Sequence, residues 1–303
     1  MPLTSLTGGA PRRVRLSLLS LFAILVVVVS SAVTVTASGP ASAGDARLRV
    51  MTYNIRLDAD APPRDWASRL PLMKQVLREQ QPDLLGVQEA LWRQMRDLDA
   101  ALPAHDWIGM GRQGGTRDEF SAIFYRKDRF EVLDFDHFWL SDTPLVIGSA
   151  TWGNTITRMV TWAKFRDRRT GRVFYHVNTH FDHQSQNARV KSAELVLRRV
   201  RGFEAGVPVV LTGDFNVAAG KSDPYSILTG ADAFADTWET AERRGPASNT
   251  FGGWKPPVPG GDRIDWILSR GTVRTLWTEI DTYEKNGQYP SDHYPVVAHM
   301  IVG

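Results

Sequence analysis

Apolar and polar positions along the chain repeat with two different periods, so the sequence predicts both strands and helices. Residues 47–55, RLRVMTYNI, alternate and then become apolar, which is typical of a buried strand. Apolar residues recur at helical spacing in 65–80 and 185–203, and a shorter helix is predicted near 91–101. Further strands are predicted at 82–90, 106–112, 120–127, 131–140, 156–166, 172–180, 207–214, 262–269, 273–281 and 294–301.

The predicted strands form two groups along the chain, and each group has its own helices. Long β segments with few helices favour two packed sheets whose outer faces are covered by the helices. We therefore predict an α/β fold, a four-layer α/β/β/α sandwich with two mixed sheets packed face to face and helices outside. The segment 166–172 indicates a hairpin tip, and 245–262 is too rich in Gly and Pro for regular structure. Residues 44–303 contain no linker and are predicted to form a single domain.

The first 43 residues have the composition of a secretory signal. Arg12, Arg13 and Arg15 precede the apolar run LSLLSLFAILVVVV, and the small residues ASA follow at 41–43. A basic start, an apolar middle and a small-residue end predict a signal peptide at 1–43. The apolar run is long for a signal, so an N-terminal membrane anchor is the alternative. We expect a secreted, extracellular protein, with anchoring through this segment as the second interpretation.

The charge balance argues against a dedicated nucleic-acid-binding protein. The chain has 36 basic and 33 acidic residues, but three of the basic residues and none of the acidic ones lie in 1–43. The rest of the chain is formally neutral, whereas broad binding to a phosphate backbone needs excess positive charge. A local basic patch stays open as an alternative. We expect a monomer that contacts a membrane only through an uncleaved N-terminus or a lipid substrate.

Polar residues recur at the ends of the predicted core strands. The sequence GDFN places Asp214 and Asn216 at the end of the strand 207–214. Comparable positions in other strands hold Asn54, Glu89, Asn178 with His180, Asp265, and Asp292 with His293. Ligand sites in α/β sheets gather at such strand ends, so we expect these residues to share one pocket.

The residue types in this set suit metal-dependent hydrolysis of a phosphate ester. Oxygen donors of Asp, Glu and Asn suit Mg²⁺ or Mn²⁺, and the chain has no cysteine for zinc–sulfur or thiolate chemistry. Two histidines supply proton transfer near neutral pH, and neighbouring carboxylates are expected to fix their tautomers and raise their pKa. A hard cation with these groups supports attack of water on a phosphate ester.

Six motifs in order resemble those of the endonuclease/exonuclease/phosphatase superfamily. They are MTYNIR, GVQEA, NTH, GDFN, RIDWI and SDHYPV, and they extend the resemblance over about 47–302. This superfamily includes pancreatic-type deoxyribonuclease, apurinic endonucleases, inositol polyphosphate phosphatases, bacterial sphingomyelinases and polyadenylate nucleases. One motif such as SDH arises by chance, whereas six in the right order are specific.

The resemblance implies a metal site and a water-activating acid. Asn54 and Glu89 match the metal-site residues of the first two motifs, and Asp292 matches the acid of the terminal pair. Asp214 matches the acid that activates water, and Asn216 matches the amide that binds the phosphate.

The resemblance also implies two catalytic histidines with their supporting residues. His180 matches the histidine of the deoxyribonuclease and phosphatase branches, and Asp265 matches the acid that orients His293. Glu119 has the spacing of the glutamate that holds the first histidine, and Arg158 that of an arginine that contacts the phosphate.

The implied reaction is a one-step in-line displacement at phosphorus, with water as the attacking group and Mg²⁺ (or Mn²⁺) as the cofactor. The substrate stays open as a phosphate monoester or diester. An extracellular nuclease acting on DNA or RNA, a sphingomyelinase-like or phospholipase C-like phosphodiesterase, and a non-catalytic binding protein on the same fold are the alternatives. Asp182 and His183 either line the pocket or cap the helix at 185.

Overall fold

A computed structural model describes residues 47–303 of the chain. The predicted signal peptide or anchor at 1–43 lies outside the described residues. Between 47 and 303, no helix combines the length and the apolar character needed to cross a membrane.

Strands and helices alternate along this range in an order close to the predicted one. In chain order the elements are β1 (Arg47–Asn54), α1 (Trp66–Gln80), β2 (Leu84–Ala90), α2 (Trp92–Ala101), β3 (His105–Ile108), β4 (Phe120–Arg126), β5 (Phe130–Trp139), β6 (Met159–Asp167), β7 (Val173–His180), α3 (Gln186–Arg201), β8 (Val209–Asp214), α4 (Asp223–Thr229), β9 (Ala235–Asp236), α5 (Thr237–Thr240), β10 (Arg243–Arg244), β11 (Asp265–Arg270), β12 (Val273–Ile280) and β13 (Val296–Val302).

The strands form two mixed sheets. The first sheet has the order β10-β12-β13-β1-β2-β4-β3, and the second has the order β5-β6-β7-β8-β11-β9. At the centre of the first sheet β1 runs parallel to β2 and antiparallel to β13. At the centre of the second sheet β7 runs parallel to β8, and β8 runs antiparallel to β11. The carboxyl ends of β1, β2, β7 and β8 therefore carry the residues from which a site can be built.

Three apolar clusters fill the spaces between four layers. One cluster, with Met51 and Tyr53 from β1 and Met73 from α1, packs helices against the outer face of the first sheet. Another joins α3 and α4 to the outer face of the second sheet, and the third lies between the sheets. Alternation along each strand separates these faces, because successive side chains point to opposite sides. The predicted four-layer α/β/β/α sandwich is confirmed.

Close to the site, a buried chain of hydrogen bonds joins the two sheets. Gln88 donates from Nε2 to Oδ1 of Asn178 across 2.7 Å, and Asn178 donates to the backbone carbonyl oxygens of Val87 and Ala122. Thr212 donates from Oγ1 to the same Oδ1 across 3.0 Å. Burying such polar groups costs little free energy only when they are paired. These hydrogen bonds therefore fix how the two sheets pack against each other.

Gly86 makes this close approach of the sheets sterically feasible. A Cβ atom at this position would overlap with Oγ1 of Thr212 and Oδ1 of Asn178. The absence of a side chain at this point of β2 therefore leaves the space that the hydrogen-bond chain occupies.

Most predicted boundaries agree with the structure, and the differences concern very short elements. The predicted hairpin at 166–172 joins β6 and β7, which pair antiparallel. The strands β9 and β10 and the helices α4 and α5 were not predicted, because two to seven residues are too few to establish a period.

Candidate active site

The predicted site residues converge where strands of both sheets end. Asn54 ends β1, Glu89 is the second-last residue of β2, and His180 and Asp214 end β7 and β8. A cavity of about 350 Å³ lies between them. Its lining is formed by Arg56, Glu89, His180, His183, Asp214, Asn216, Phe251, Ile264, Asp292 and His293.

Glu89 reaches the cavity because the backbone of β2 changes course. The pairing of β2 with β4 shifts register between Val87 and Ala90, and Glu89 has a φ of 64°, which is unusual for a residue with a side chain. Glu89 therefore turns toward β1, where Asn54 donates from Nδ2 to its Oε1 across 2.9 Å. The backbone N–H of Leu57 donates to Oε2 across 3.1 Å.

Asn54 connects the carboxylates of the two sheets. Its Nδ2 donates to Oε1 of Glu89 and also to Oδ2 of Asp214 across 3.0 Å. Its Oδ1 accepts from the backbone N–H of Arg56 across 3.0 Å. In this orientation the amide N–H groups of Asn54 hold the carboxylates of Glu89 and Asp214 in position.

Asp292 and Arg56 complete the acidic side of the cavity. Nε of Arg56 lies 3.9 Å from Oδ2 of Asp292, and its Nη1 lies 3.9 Å from Oε2 of Glu89. Burial raises the pKa of Asp292, and the charge of Glu89 adds to that shift. For Glu89, burial alone would also raise the pKa, but the charge of His293 and the hydrogen bonds from Asn54 and Leu57 outweigh it and lower the pKa.

The chemistry of these donors fits a hard divalent cation. One potential ligand atom from each of Glu89, His180 and Asp214 lies within 4.8 Å of the other two. Burial and mutual repulsion of the carboxylates favour the presence of a cation, and their oxygen atoms suit Mg²⁺ or Mn²⁺. Glu89 and Asp214 supply the carboxylates of that group, Asp292 lies on the other side of Arg56 from Glu89, and Asn54 turns its N–H groups toward the carboxylates.

Asp214 is fully buried and held at both oxygen atoms. The backbone N–H of Asn216 donates to its Oδ1 across 2.9 Å, while Asn54 donates to Oδ2. Burial raises the pKa of Asp214, and the charge of Asp265, its partner across the β8–β11 pairing, raises it further. A carboxylate with a raised pKa takes up a proton more readily near neutral pH, as a general base must.

His293 and Asp265 form a buried ion pair. Nδ1 of His293 lies 3.0 Å from Oδ2 of Asp265, and its Nε2 lies 3.8 Å from Oδ2 of Asp214. Burial alone would lower the pKa of His293, but the charges of Asp265 and Asp214 outweigh it and raise the pKa to about 10. His293 is therefore an imidazolium at neutral pH, with its charge directed toward Asp214.

His180 has the opposite charge behaviour. Nη1 of Arg158 lies 2.8 Å from Nδ1 of His180, and a guanidinium can only donate. Nδ1 is therefore the acceptor and Nε2 carries the proton, with Oδ2 of Asp214 3.3 Å away. Burial and the charge of Arg158 lower the pKa of His180 well below its usual value. The expectation that neighbouring carboxylates raise the pKa of both histidines is wrong for His180, because burial disfavours the charged ring and the nearest charge is the buried Arg158.

Asn216 lies beside His180 at the edge of the cavity. It has a φ of 52°, and its Nδ2 donates to the carbonyl oxygen of Phe181 across 3.0 Å. The same Nδ2 is 2.9 Å from Nε2 of His180; because both nitrogens carry hydrogen in the tautomer that Arg158 imposes, this approach is a contact and not a hydrogen bond. The amide and the imidazole therefore face the same part of the cavity, as a site for phosphoryl oxygens requires.

Glu119 and Arg158 lie behind His180 rather than on the cavity wall. Oε2 of Glu119 is 4.0 Å from Nδ1 of His180 and forms its ion pair with Arg112 at 2.9 Å. Arg158 is 4% exposed and lies between Glu119 and the histidine. The resemblance had implied a direct bond from Glu119 to His180 and a direct contact of Arg158 with the phosphate. In the structure both residues instead support His180 from behind.

Several residues of the cavity were not predicted. Arg56 follows the MTYNI strand, and Phe251, 48% exposed, packs against the His293 ring with a centroid distance of 5.0 Å. The sequence left open whether Asp182 and His183 line the pocket or cap the helix at 185, and the two residues differ in this. Asp182 accepts from the backbone N–H groups of Gln184 and Ser185 just before α3, whereas His183 lines the cavity.

Comparisons with known proteins agree with the fold. The sequence model of the Endonuclease/Exonuclease/phosphatase family matches residues 51–293. A solved endonuclease/exonuclease/phosphatase structure from Bacteroides vulgatus is 37% identical, covers 85% of this chain and 99% of its own, and superposes with a TM-score of 0.80. The mannosyl-6-phosphatase of Bacteroides thetaiotaomicron is 32% identical over 84% of this chain and 99% of its own, with a TM-score of 0.79.

A curated relative is more distant. Protein angel from Drosophila melanogaster is 25% identical over 181 residues, which are 57% of this chain and 49% of the relative. The chain thus spans about half the length of that relative. Family model and structural likeness agree over nearly the whole described range, and the chain belongs to the endonuclease/exonuclease/phosphatase family, whose members hydrolyse phosphoester bonds.

Proposed function

We propose that the protein is a divalent-metal-dependent phosphoesterase that cleaves a phosphate ester by in-line attack of water. The observation that carries this proposal is the arrangement around the cavity. Glu89 and Asp292 lie on its acidic side, Asp214 and the His293 imidazolium lie together, and Asn216 and His180 face the same space. Such a set combines a metal site, a base and hydrogen-bond donors for a phosphoryl group.

Glu89 and Asp292 would hold the divalent cation, and Asn54 positions the carboxylate of Glu89. When bound, Mg²⁺ or Mn²⁺ neutralises the charge that develops on the phosphoryl group. We propose Mg²⁺ as the physiological ion because the donors are oxygen atoms.

The protein's own residues activate the water and bind the phosphoryl group, while the leaving oxygen keeps the electron pair of the broken P–O bond and takes a proton from solvent. Asp214 orients the water molecule and accepts its proton. The imidazolium of His293 stabilises the Asp214 carboxylate and the negative charge that develops on the phosphoryl group. Asn216 and the Nε2–H group of His180 donate hydrogen bonds to phosphoryl oxygens. Because His180 is neutral, it acts here as a hydrogen-bond donor rather than as a source of a full proton.

The cavity favours a small substrate. Its volume of about 350 Å³ suits a phosphorylated small molecule, and the balanced charge of residues 44–303 gives little general attraction to nucleic acid. The name of the mannosyl-6-phosphatase, which is 32% identical to this chain, adds sugar phosphates to the substrates that should be tested. A binding protein without catalysis would not need the full set of proton-transfer residues.

A substrate panel tests the proposal. Sugar phosphates, inositol phosphates, p-nitrophenyl phosphate, bis-p-nitrophenyl phosphate, plasmid DNA, RNA, sphingomyelin and phosphatidylcholine are each assayed with Mg²⁺, with Mn²⁺ and with EDTA. Wild-type protein is expected to hydrolyse a small phosphate ester only with metal, and Asp214→Asn is expected to lose roughly two to four orders of magnitude in rate. Absence of metal-dependent turnover on every substrate would contradict the proposal, and turnover of DNA, RNA or lipid alone would replace the small-molecule assignment.

We further propose that the protein is secreted as a monomer after cleavage of residues 1–43. The basic, apolar and small-residue regions of that segment support this proposal. Amino-terminal sequencing of protein from the culture medium should begin at Gly44, and light scattering should give the mass of one chain. Full-length protein retained in the membrane fraction would instead support the anchor.

A further inference from the structure

A single buried arginine contacts two histidines of the cavity. Nη1 of Arg158 lies 2.8 Å from Nδ1 of His180, and its Nη2 lies 3.0 Å from Nδ1 of His183. The arginine is 4% exposed, whereas His183 lies at the surface of the cavity. His183 is thus an exposed side chain that is held from behind by a buried partner.

This contact fixes the tautomer of His183. A guanidinium has donors and no acceptor, so Nδ1 of the neutral imidazole must accept and Nε2 must carry the proton. The same reasoning applies to His180. Arg158 therefore prepares two Nε2–H donors, one on each histidine, at the wall of one cavity.

The backbone around His183 is also held in place. Asp182, 1% exposed, accepts from the backbone N–H groups of Gln184 at 2.9 Å and Ser185 at 2.6 Å. Ser185 in turn caps α3 by accepting from the backbone N–H of Ala188. His183 consequently lies on a fixed turn, and a fixed position is what a specific hydrogen bond to a ligand requires.

A purely structural role explains these contacts poorly. An exposed histidine contributes little to the core, and Arg158 already bonds to His180 without it. The arrangement has a clear use if an anion occupies the cavity, because neutral N–H donors bind phosphate oxygens and leave the metal's carboxylate ligands undisturbed.

We propose that His183 is a substrate-binding residue whose Nε2–H group contacts a terminal phosphoryl oxygen and so selects phosphomonoesters over phosphodiesters. The inference rests on the proposed phosphoesterase function. A monoester carries three non-bridging oxygens and a diester carries two. The donor on His183 can therefore bind the third non-bridging oxygen of a monoester. In a diester that oxygen carries a second ester group and is a poorer acceptor.

Two chromogenic substrates test the proposal. The ratio of kcat/KM for p-nitrophenyl phosphate to that for bis-p-nitrophenyl phosphate is measured with Mg²⁺ for wild type, His183→Ala, His183→Gln and Gln184→Ala. Gln184 is exposed, adjacent in sequence and not part of the cavity lining, so Gln184→Ala is the matched control. Inhibition by inorganic phosphate is measured in the same variants.

We expect His183→Ala to lower kcat/KM for the monoester roughly 10- to 100-fold and to change the diester value less than about threefold. His183→Gln retains a donor near the position of Nε2 and should recover part of the loss. Inorganic phosphate should inhibit His183→Ala about tenfold more weakly, while Gln184→Ala should behave as wild type.

Equal losses on both substrates, or no loss on the monoester, would overturn the role of His183 while leaving the phosphoesterase function intact. Absence of metal-dependent turnover in wild-type protein on either substrate, together with the negative substrate panel, would overturn both. Circular dichroism of each variant shows whether a loss of activity reflects unfolding. For a variant that remains folded, the affinity for inorganic phosphate measured by calorimetry shows whether His183 binds the phosphoryl group.

Discussion

Arg158 donates from Nη1 to Nδ1 of His180 across 2.8 Å, and no carboxylate oxygen of the described residues is as close to that nitrogen. The two histidines at the centre of the site therefore differ in charge. His293 is held as a cation by Asp265, whereas His180 is held neutral by burial and by the arginine. One histidine supplies a charge, and the other supplies a neutral N–H group.

This difference predicts the titration of His180. Because burial and Arg158 lower its pKa well below its usual value, the ring should be neutral at neutral pH, with the proton on Nε2. Arg158→Gln removes the neighbouring positive charge and should raise that pKa. The ¹⁵N chemical shifts of the imidazole ring measure both effects. A His180 titration with its midpoint at or above 6.5 in wild-type protein would show that Arg158 does not control this histidine.

The pairing of Asp265 with His293 leads to a second prediction. Asp265→Asn removes the largest charge that raises the pKa of His293, so that pKa should fall from about 10 toward its ordinary value. Turnover should fall roughly 100-fold or more at neutral pH. Proton NMR of the imidazole and steady-state kinetics measure these two changes.

The control for that variant is Asp262→Asn. Asp262 lies three residues earlier, and its carboxylate pairs with Lys221 in solvent. Its replacement should leave turnover within about twofold, since exposed ion pairs contribute little. If both variants lost activity equally, the effect of Asp265→Asn could not be assigned to His293.

Much of the fold follows from residue patterns. The alternation in β1 and the helical spacing in α1 predict those elements to within one or two residues, and two groups of strands with separate helices predict the layers. The helix α1 ends where expected, because Gln81 adopts a left-handed conformation and Pro82 follows it. Local chemistry is sufficient for features of this kind.

The site required three-dimensional information at particular residues. The motif GVQEA marks Glu89, but only the register shift in β2 and the positive φ explain how its side chain reaches β1. The position of Arg158 between His180 and His183 depends on contacts 22 and 25 residues apart in sequence. Spacing along the sequence does not show which of these contacts forms. For this reason the sequence predicted a phosphate contact for Arg158.

The buried His176 predicts a dependence of stability on pH. Burial lowers its pKa to about 3, and its Nε2 lies 2.9 Å from Oγ1 of Thr212 between the sheets. Below the unfolded-state pKa near 6.5, the unfolded chain binds a proton that the folded protein excludes, so this residue makes the protein less stable as pH falls from about 6.5 toward 3. The effect reaches up to about 1.4 kcal/mol per pH unit.

His176→Gln should therefore reduce the pH dependence of the free energy of unfolding. Urea unfolding at pH 7.5, 6.0 and 5.0 measures the difference between the variant and wild type. We expect the two stability curves to converge as pH falls, because only wild type gains a proton on unfolding at this position. Parallel curves across this interval would contradict a neutral, buried His176.

Gly86 gives a prediction about the contact between the sheets. In Gly86→Ala, the added Cβ must displace Thr212 or Asn178, so we expect a loss of about 1–3 kcal/mol in the free energy of unfolding. Gly202→Ala is the control. Gly202 has a φ of −83° at the end of α3, a conformation that alanine accepts, and a Cβ there would lie 3.2 Å from the Arg199 carbonyl oxygen, against 2.3 Å from Oγ1 of Thr212 at Gly86. Thermal unfolding of both variants measures the difference, and equal stability would show that the sheets can separate there at little cost.

Metal-dependent turnover is the most direct test of the central claim that Glu89, Asp292 and Asp214 form one hydrolytic centre. The measurement is the rate of p-nitrophenyl phosphate hydrolysis against Mg²⁺ concentration, in wild type and in Glu89→Gln, after removal of metal with EDTA. We predict a negligible rate without metal, saturation on adding Mg²⁺, and a requirement for roughly 10-fold or more Mg²⁺ in the variant. A wild-type rate that persists without metal, or a Glu89→Gln curve that coincides with wild type, would contradict the assignment.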